Sequence, residues 1–208
     1  MIWFTADTHF GHANAIEFGT RPFRDVDEMD RRLVAAINDR VSATDELWVL
    51  GDYSWRIGVD DAYAIRRKIN CRHVHLILGN HDRDWSTGPY PDAFETVEAY
   101  RVLKARARAG GSGAESRSGK LVLFHYPICD WDGRVHGSIH LHGHIHSRGS
   151  DYNEWMRDQG ILAYDVGVDA NGWAPVSLDH ILDWFDGVEP SMGVALIAPE
   201  RLREMDGA

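Results

Sequence analysis

The feature that most constrains this chain is a series of short apolar runs, each stopping at a glycine or a polar cluster. MIWFTA runs into Asp7-Thr8-His9, ELWVL into Gly51-Asp52, HVHLIL into Gly79-Asn80-His81-Asp82, KLVLF into His125, and SIHLH into Gly143-His144-Ile145-His146. Short apolar runs bounded by turn signals read as buried strands. Between the first three lie helical stretches, with Met29, Leu33, Ala36 and Ile37 in the segment 26–40 and Ala62, Ile65 and Ile69 in VDDAYAIRRKIN. Alternating strands and helices imply parallel pairing, and sites in such sheets assemble where the strands end. The polar tips are therefore expected to converge.

The second half reads differently. ETVEAYRVLKA, KLVLFHYP, GSIHLHGHIH and ILAYDVGVD look like strands with no helix before SLDHILDWF, so a second, more antiparallel sheet is expected. Between two of them, ARARAGGSGAESRSG has too little to bury and reads as a mobile hairpin loop at about 105–119. Its basic flanks (Arg101, Lys104, Arg106, Arg108, Arg117, Lys120) would suit a flap that recruits polyanions. The tail beyond Asp186 shows no clear period. The length of 208 residues points to a single domain spanning 1–208.

Charge narrows the partners. With 22 Lys and Arg against 32 Asp and Glu, the net charge of -10 argues against gripping nucleic acid by bulk charge. It does not exclude nucleic acid, because a metal centre adds positive charge locally. The N-terminus lacks the basic start and apolar stretch of a signal peptide, and no run approaches the roughly 20 apolar residues of a membrane span. A cytoplasmic protein without a membrane partner is expected, its oligomeric state undefined. Cys71 and Cys129 stand far apart without a CxxC companion, so neither a disulfide scaffold nor a thiolate zinc site is indicated.

The strand tips are rich in metal ligands. Asp7 and His9, two apart on a continuing strand, point to the same side and can grip one ion. Asp52 offers two oxygens able to bridge a pair of ions, Asn80 an amide oxygen in a tight turn, and His144 and His146 two imidazoles at alternate positions. His125 closes its strand as the other tips close theirs. Nitrogen and oxygen donors without thiolate suit Mn²⁺, Fe, Co²⁺, Ni²⁺ or Zn²⁺, with Mn²⁺ the first choice.

In order, DTH, GD, GNHD, HYP and GHIH resemble the calcineurin-like metallophosphoesterase superfamily, over about two thirds of the chain from Asp7 to His146. The opening DTHFGH with the downstream RPF is similar to a small single-domain bacterial and phage branch. The resemblance implies an α/β fold, a four-layer α/β/β/α sandwich of two mixed sheets flanked by helices. It implies that Asp7, His9 and His146 hold one ion, that Asn80, His125 and His144 hold the other, and that Asp52 bridges both. The chain departs from the pattern at Trp55, three positions after Asp52, where an acidic or basic residue is common in the family.

Such a centre would hydrolyse phosphate esters, and by resemblance to small single-domain members phosphodiesters, through a hydroxide held between two divalent ions. His81 is then free to protonate the leaving oxygen, with Asp82 orienting its ring. His12 could face the substrate or cap the following segment, Arg21 and Arg56 could neutralise the phosphate, and His140 and His142, which share a strand face, read as packed residues or as partners behind the ligands. Two other readings are a nuclease acting on DNA or RNA and a non-catalytic metal-binding interaction scaffold.

Overall fold

The computed structural model describes residues 1–83, 85–106 and 118–191. The first half builds β1 (Ile2–Thr5), α1 (Asn14–Phe18), α2 (Val26–Arg40), β2 (Glu46–Leu50), α3 (Val59–Arg66) and β3 (His73–Ile77). The second half builds β4 (Thr96–Glu98), β5 (Arg101–Arg106), β6 (Ser118–Leu123), β7 (Ile139–His142), α4 (Asp151–Asp158), β8 (Ala163–Asp165), β9 (Val176–Ser177) and α5 (Leu178–Trp184). One sheet runs β4-β3-β2-β1-β9, the other β5-β6-β7-β8. In the first, β1 to β4 pair in parallel and β9 is antiparallel to β1.

Side-chain alternation sets the layers. In β1 and β2, Trp3, Leu47 and Val49 face outward into a cluster with Met29, Leu33 and Ile37 of α2 and Ala62 and Ile65 of α3. Phe4, Trp48 and Leu50 face inward onto Leu121, Leu123, Ile139 and Leu141 of the second sheet. Val122 and Ala163 point to the far side, where Tyr152 and Met156 of α4 cover them. Helices, two mixed sheets and helices thus stack in the four-layer α/β arrangement. The helix starts are local in origin: Asp25 accepts from Glu28 N–H at the start of α2 and Ser177 from His180 N–H at the start of α5.

Several expectations need correction. The second sheet is not mainly antiparallel: only β5 and β6 pair that way, while β6–β7 and β7–β8 are parallel. ETVEAYRVLKA divides at Ala99-Tyr100, so that β4 joins β3 in the first sheet and only β5 enters the second. The apparently helix-free second half contains α4, whose Tyr152 and Met156 are buried four residues apart. Its eight residues are too short for a clear period. The expected 105–119 loop lies mostly at 107–117, outside the described residues, as does the tail from 192 onward. Among the described residues, no helix is long and apolar enough to cross a membrane.

Candidate metal centre

The strand tips lie together because the loops behind them bond to one another. Asp7 N–H donates to Gly51 O (3.0 Å), His9 N–H to Asp52 O (2.9 Å) and Val168 N–H to Ala6 O (3.1 Å), while Gly143 N–H reaches His125 O (3.0 Å). At these tips the chain leaves the strand conformation: Asp7, His9, Asp52, His144 and His146 have φ of 56°, 48°, 53°, 75° and 49°. Holding an L-residue in that left-handed region costs about 1–2 kcal/mol, and such strain collects at functional sites. The glycines of the motifs make room for ligands from other motifs. A Cβ on Gly51 would lie 2.2 Å from His125 Nδ1, one on Gly79 2.3 Å from Asp52 Oδ1, and one on Gly143 2.5 Å from Asp7 Oδ2.

The donor atoms converge on Asp52. Its Oδ2 lies 3.5 Å from His9 Nε2 and 3.6 Å from His125 Nε2. His9 Nε2 is 3.2 Å from His146 Nε2, and His125 Nε2 is 3.0 Å from Asn80 Oδ1. One ligand atom from each of Asp7, His9 and His146 lies within 4.8 Å of the others, and the same holds for Asp7, Asp52 and His125. His144 falls outside both groups. Its ring centroid is 5.1 Å from that of His125, and its backbone N–H donates to Asp7 Oδ2 at 2.9 Å.

Two histidines are held in the ligand orientation from behind. His125 Nδ1 meets Leu50 O at 2.9 Å and His146 Nδ1 meets Asp169 Oδ2 at 2.8 Å, so each Nδ1–H is taken and each Nε2 lone pair faces the site. Burial, with His146 and Arg21 nearby, pushes His9 down to about 2, and burial also lowers His125 and His144. The rings are thereby kept neutral, as ligation requires. Burial opposes a charge on His146 as well, yet its bond to Asp169 and the charge of Asp7 outweigh that and raise it.

The donor set fits metal ions. Asp7, Asp52, Asp165 and Asp169 are all buried here with a single buried guanidinium, Arg21, among them. Burial and the neighbouring carboxylates push Asp7 well above the usual range. Buried carboxylates and inward-facing lone pairs need a compensating cation. Two donors about 2.1 Å from one ion, at roughly 90–110° to each other, sit about 3.0–3.4 Å apart. The His9–His146 and His125–Asn80 separations of 3.2 and 3.0 Å lie in that range.

Two expected roles are corrected. Arg21 is not at the substrate: its Nε and Nη2 grip both oxygens of Asp169 (3.0 and 2.8 Å), and it also donates to Asp7 O and Thr8 O. Its side chain is fully buried, so it braces the ligand loops instead. Asp82 does not orient the His81 ring. Its carboxylate accepts from Gly79, Asp52 and Tyr53 N–H (2.9, 2.8 and 2.9 Å) and ties two motifs together. Burial pushes it up to about 6.

His81 stands at the site, Nε2 4.0 Å from Asp52 Oδ2, one third exposed and against the Trp55 ring at 4.0 Å. It lines a cavity of about 430 Å³ with His9, His12, Phe18, Asp52, Trp55, Arg56, Asn80, His144 and His146. His12 and Arg56 are thus placed where a substrate can meet them. Sequence reasoning missed Asp169, which holds both His146 and Arg21, and Asp165, whose buried carboxylate bonds Ser147 and Gly167. The signal was there in YDVGVD, another strand ending in a glycine and an aspartate.

Four layers with oxygen and nitrogen donors gathered at the strand ends define the metallophosphoesterase class. The chain belongs to the calcineurin-like phosphoesterase family, whose model matches residues 1–198. It is similar to the gene 66 protein of Mycobacterium phage L5, 32% identical over 213 residues that span 92% of this chain and 97% of the phage protein. Protein MJ1445 of Methanocaldococcus jannaschii is 28% identical over 183 residues, spanning 87% and 89%. Among solved structures, the AQ665 protein of Aquifex aeolicus shares the fold at a TM-score of 0.64 and 20% identity, covering 88% of this chain and 98% of that one.

Proposed function

We propose that this chain, as one domain, is a phosphodiesterase working with two divalent ions, Mn²⁺ foremost. The observation that carries the reading is Asp52 Oδ2, within 3.5 and 3.6 Å of imidazole nitrogens on two sides, as a carboxylate shared by two ions must be. Asp7, His9 and His146 would hold one ion, Asn80, His125 and His144 the other, and Asp52 both. When bound, the ions would activate a water as nucleophile and offset the charge that builds on the phosphate.

The protein's own groups have separate tasks. The carbonyl of Leu50 and the carboxylate of Asp169 keep His125 and His146 turned inward. His81 holds a proton at the cavity wall for the leaving oxygen, and Arg56, exposed at the same wall, meets the phosphate charge. An acid of this kind contributes about 10²–10⁴-fold when the leaving oxygen is basic. His81→Ala should therefore keep both metals, lose little turnover on p-nitrophenyl esters and lose far more on alkyl or nucleoside diesters, measured as kcat. Equal loss on both leaving groups would remove the acid role. Purified protein that binds the metal but turns over no ester would instead leave the non-catalytic metal-binding scaffold.

A further inference from the structure

The cavity wall contains side chains that hold no ion and bear no proton. Phe18, the last residue of α1, is 47% exposed, one of few large apolar side chains so exposed among the described residues. It stands at the mouth of the ligand cluster, its ring centroid 6.1 Å from that of His9 and 5.2 Å from that of His146. Both contacts are near-perpendicular, at 85° and 83°, and His12 lies tilted at 53°. None of these imidazoles lies parallel to the Phe18 ring, and the half-exposed side chain keeps part of its surface open to solvent beside the donor cluster.

Trp55 differs. His81 packs against its ring and the Arg56 guanidinium lies 5.7 Å from its centroid, so Trp55 backs the acid and the cation. One cavity of about 430 Å³ is therefore lined by a half-exposed aromatic ring at Phe18 and an exposed cation at Arg56. That volume lies within the range of small-ligand pockets, about 300–1,000 Å³. A flat ring next to a phosphate matches this pairing: the base stacks and the anion meets the arginine. A glycerol-type or simple alkyl ester would leave Phe18 facing water.

We propose that Phe18 is a stacking platform that makes the site selective for nucleoside phosphate esters over esters without a base. This rests on the reading of the site as a phosphoesterase centre. The test measures binding to the Mn²⁺-loaded protein by calorimetry, using the phosphonate analogue of AMP, in which CH₂ replaces the ester oxygen, and the same analogue of ribose 5-phosphate. Neither can be hydrolysed at that position, and they differ at C1′, where one carries the base and the other a hydroxyl. The base should tighten binding about tenfold, the scale of one base stacked on one aromatic ring. Phe18→Leu, apolar but not flat, should bring the two affinities together, and Phe18→Trp should keep them apart.

A ratio near one in the unaltered protein, an unchanged ratio in Phe18→Leu, or no detectable binding of either analogue overturns the proposal. Turnover of thymidine 5′-p-nitrophenyl phosphate is followed separately. If it fails while base-dependent binding through Phe18 persists, the assigned reaction is wrong and the platform stands.

Discussion

From Ile139 to His146 the chain carries histidines at every second position, and the two halves of this run behave in opposite ways. His140 and His142, inside β7, turn away from the other sheet. His140 meets Val122 O and Tyr126 O, each at 3.1 Å, and His142 meets Gly143 O and the Tyr152 hydroxyl. Burial pushes them down to about 3 and about 4. His144 and His146 line the cavity. The change occurs at Gly143, which packs against Asp7 where no Cβ fits, and at the left-handed backbone of His144 and His146. A period of two keeps side chains on one face only while the strand lasts, so equal spacing does not mean equal role.

The two halves of the run should differ most in their effect on activity. His146→Ala should lose metal at its site and at least 100-fold in turnover, since loss of an outer partner alone costs about 10–100-fold. His142→Leu should leave metal content and turnover within about twofold, yet orphan the buried Tyr152 hydroxyl at about 1–3 kcal/mol. That corresponds to a fall in melting temperature of roughly 2–12 °C by calorimetry. Similar turnover losses in the two variants would erase the distinction.

A smaller effect sharpens the outer half. His146 is held by a carboxylate and His125 by a backbone carbonyl, so only the first can be altered through a side chain. Asp169→Asn should weaken one of the two metal-binding steps about 10–100-fold and leave the other near its original value, read from a titration with Mn²⁺. Equal weakening of both steps would mean that Asp169 acts on the whole loop cluster through Arg21.

The smallest expected effect lies in the inner half. The folded state holds His140 at about 3 against an ordinary 6.5, so below 6.5 the unfolded chain takes up a proton that the folded chain refuses. Stability present above pH 6.5 is then lost as the pH falls toward 3, by up to about 1.4 kcal/mol per pH unit. Urea unfolding at several pH values should show this slope reduced in His140→Gln. An identical slope would mean that His140 is charged when folded, with both ring nitrogens donating to its two carbonyls.

The donor set was legible because each of its members ends an apolar run, and strand ends in a parallel sheet meet. Less legible was anything whose meaning depends on a distant partner. Arg21 looks like a free cation until Asp169, 148 residues on, occupies it, and Asp82 looks like a partner for its neighbour until amides 29 and 30 residues away claim its oxygens. β4 reads as the start of the second sheet because its apolar pattern runs on into β5, and only pairing with β3 assigns it.

Local pattern was enough to name the candidate donor atoms and the apolar runs that end at them, since both follow from residue type and from the glycines that close those runs. Only the tertiary structure decided which histidines face the cavity, which carboxylates brace and which can ligate, and that Phe18 stands open beside them. Those outcomes depend on left-handed turns that redirect side chains after the strands end. They depend too on hydrogen bonds between segments far apart in the chain, whose geometry does not exist until the sheets have packed.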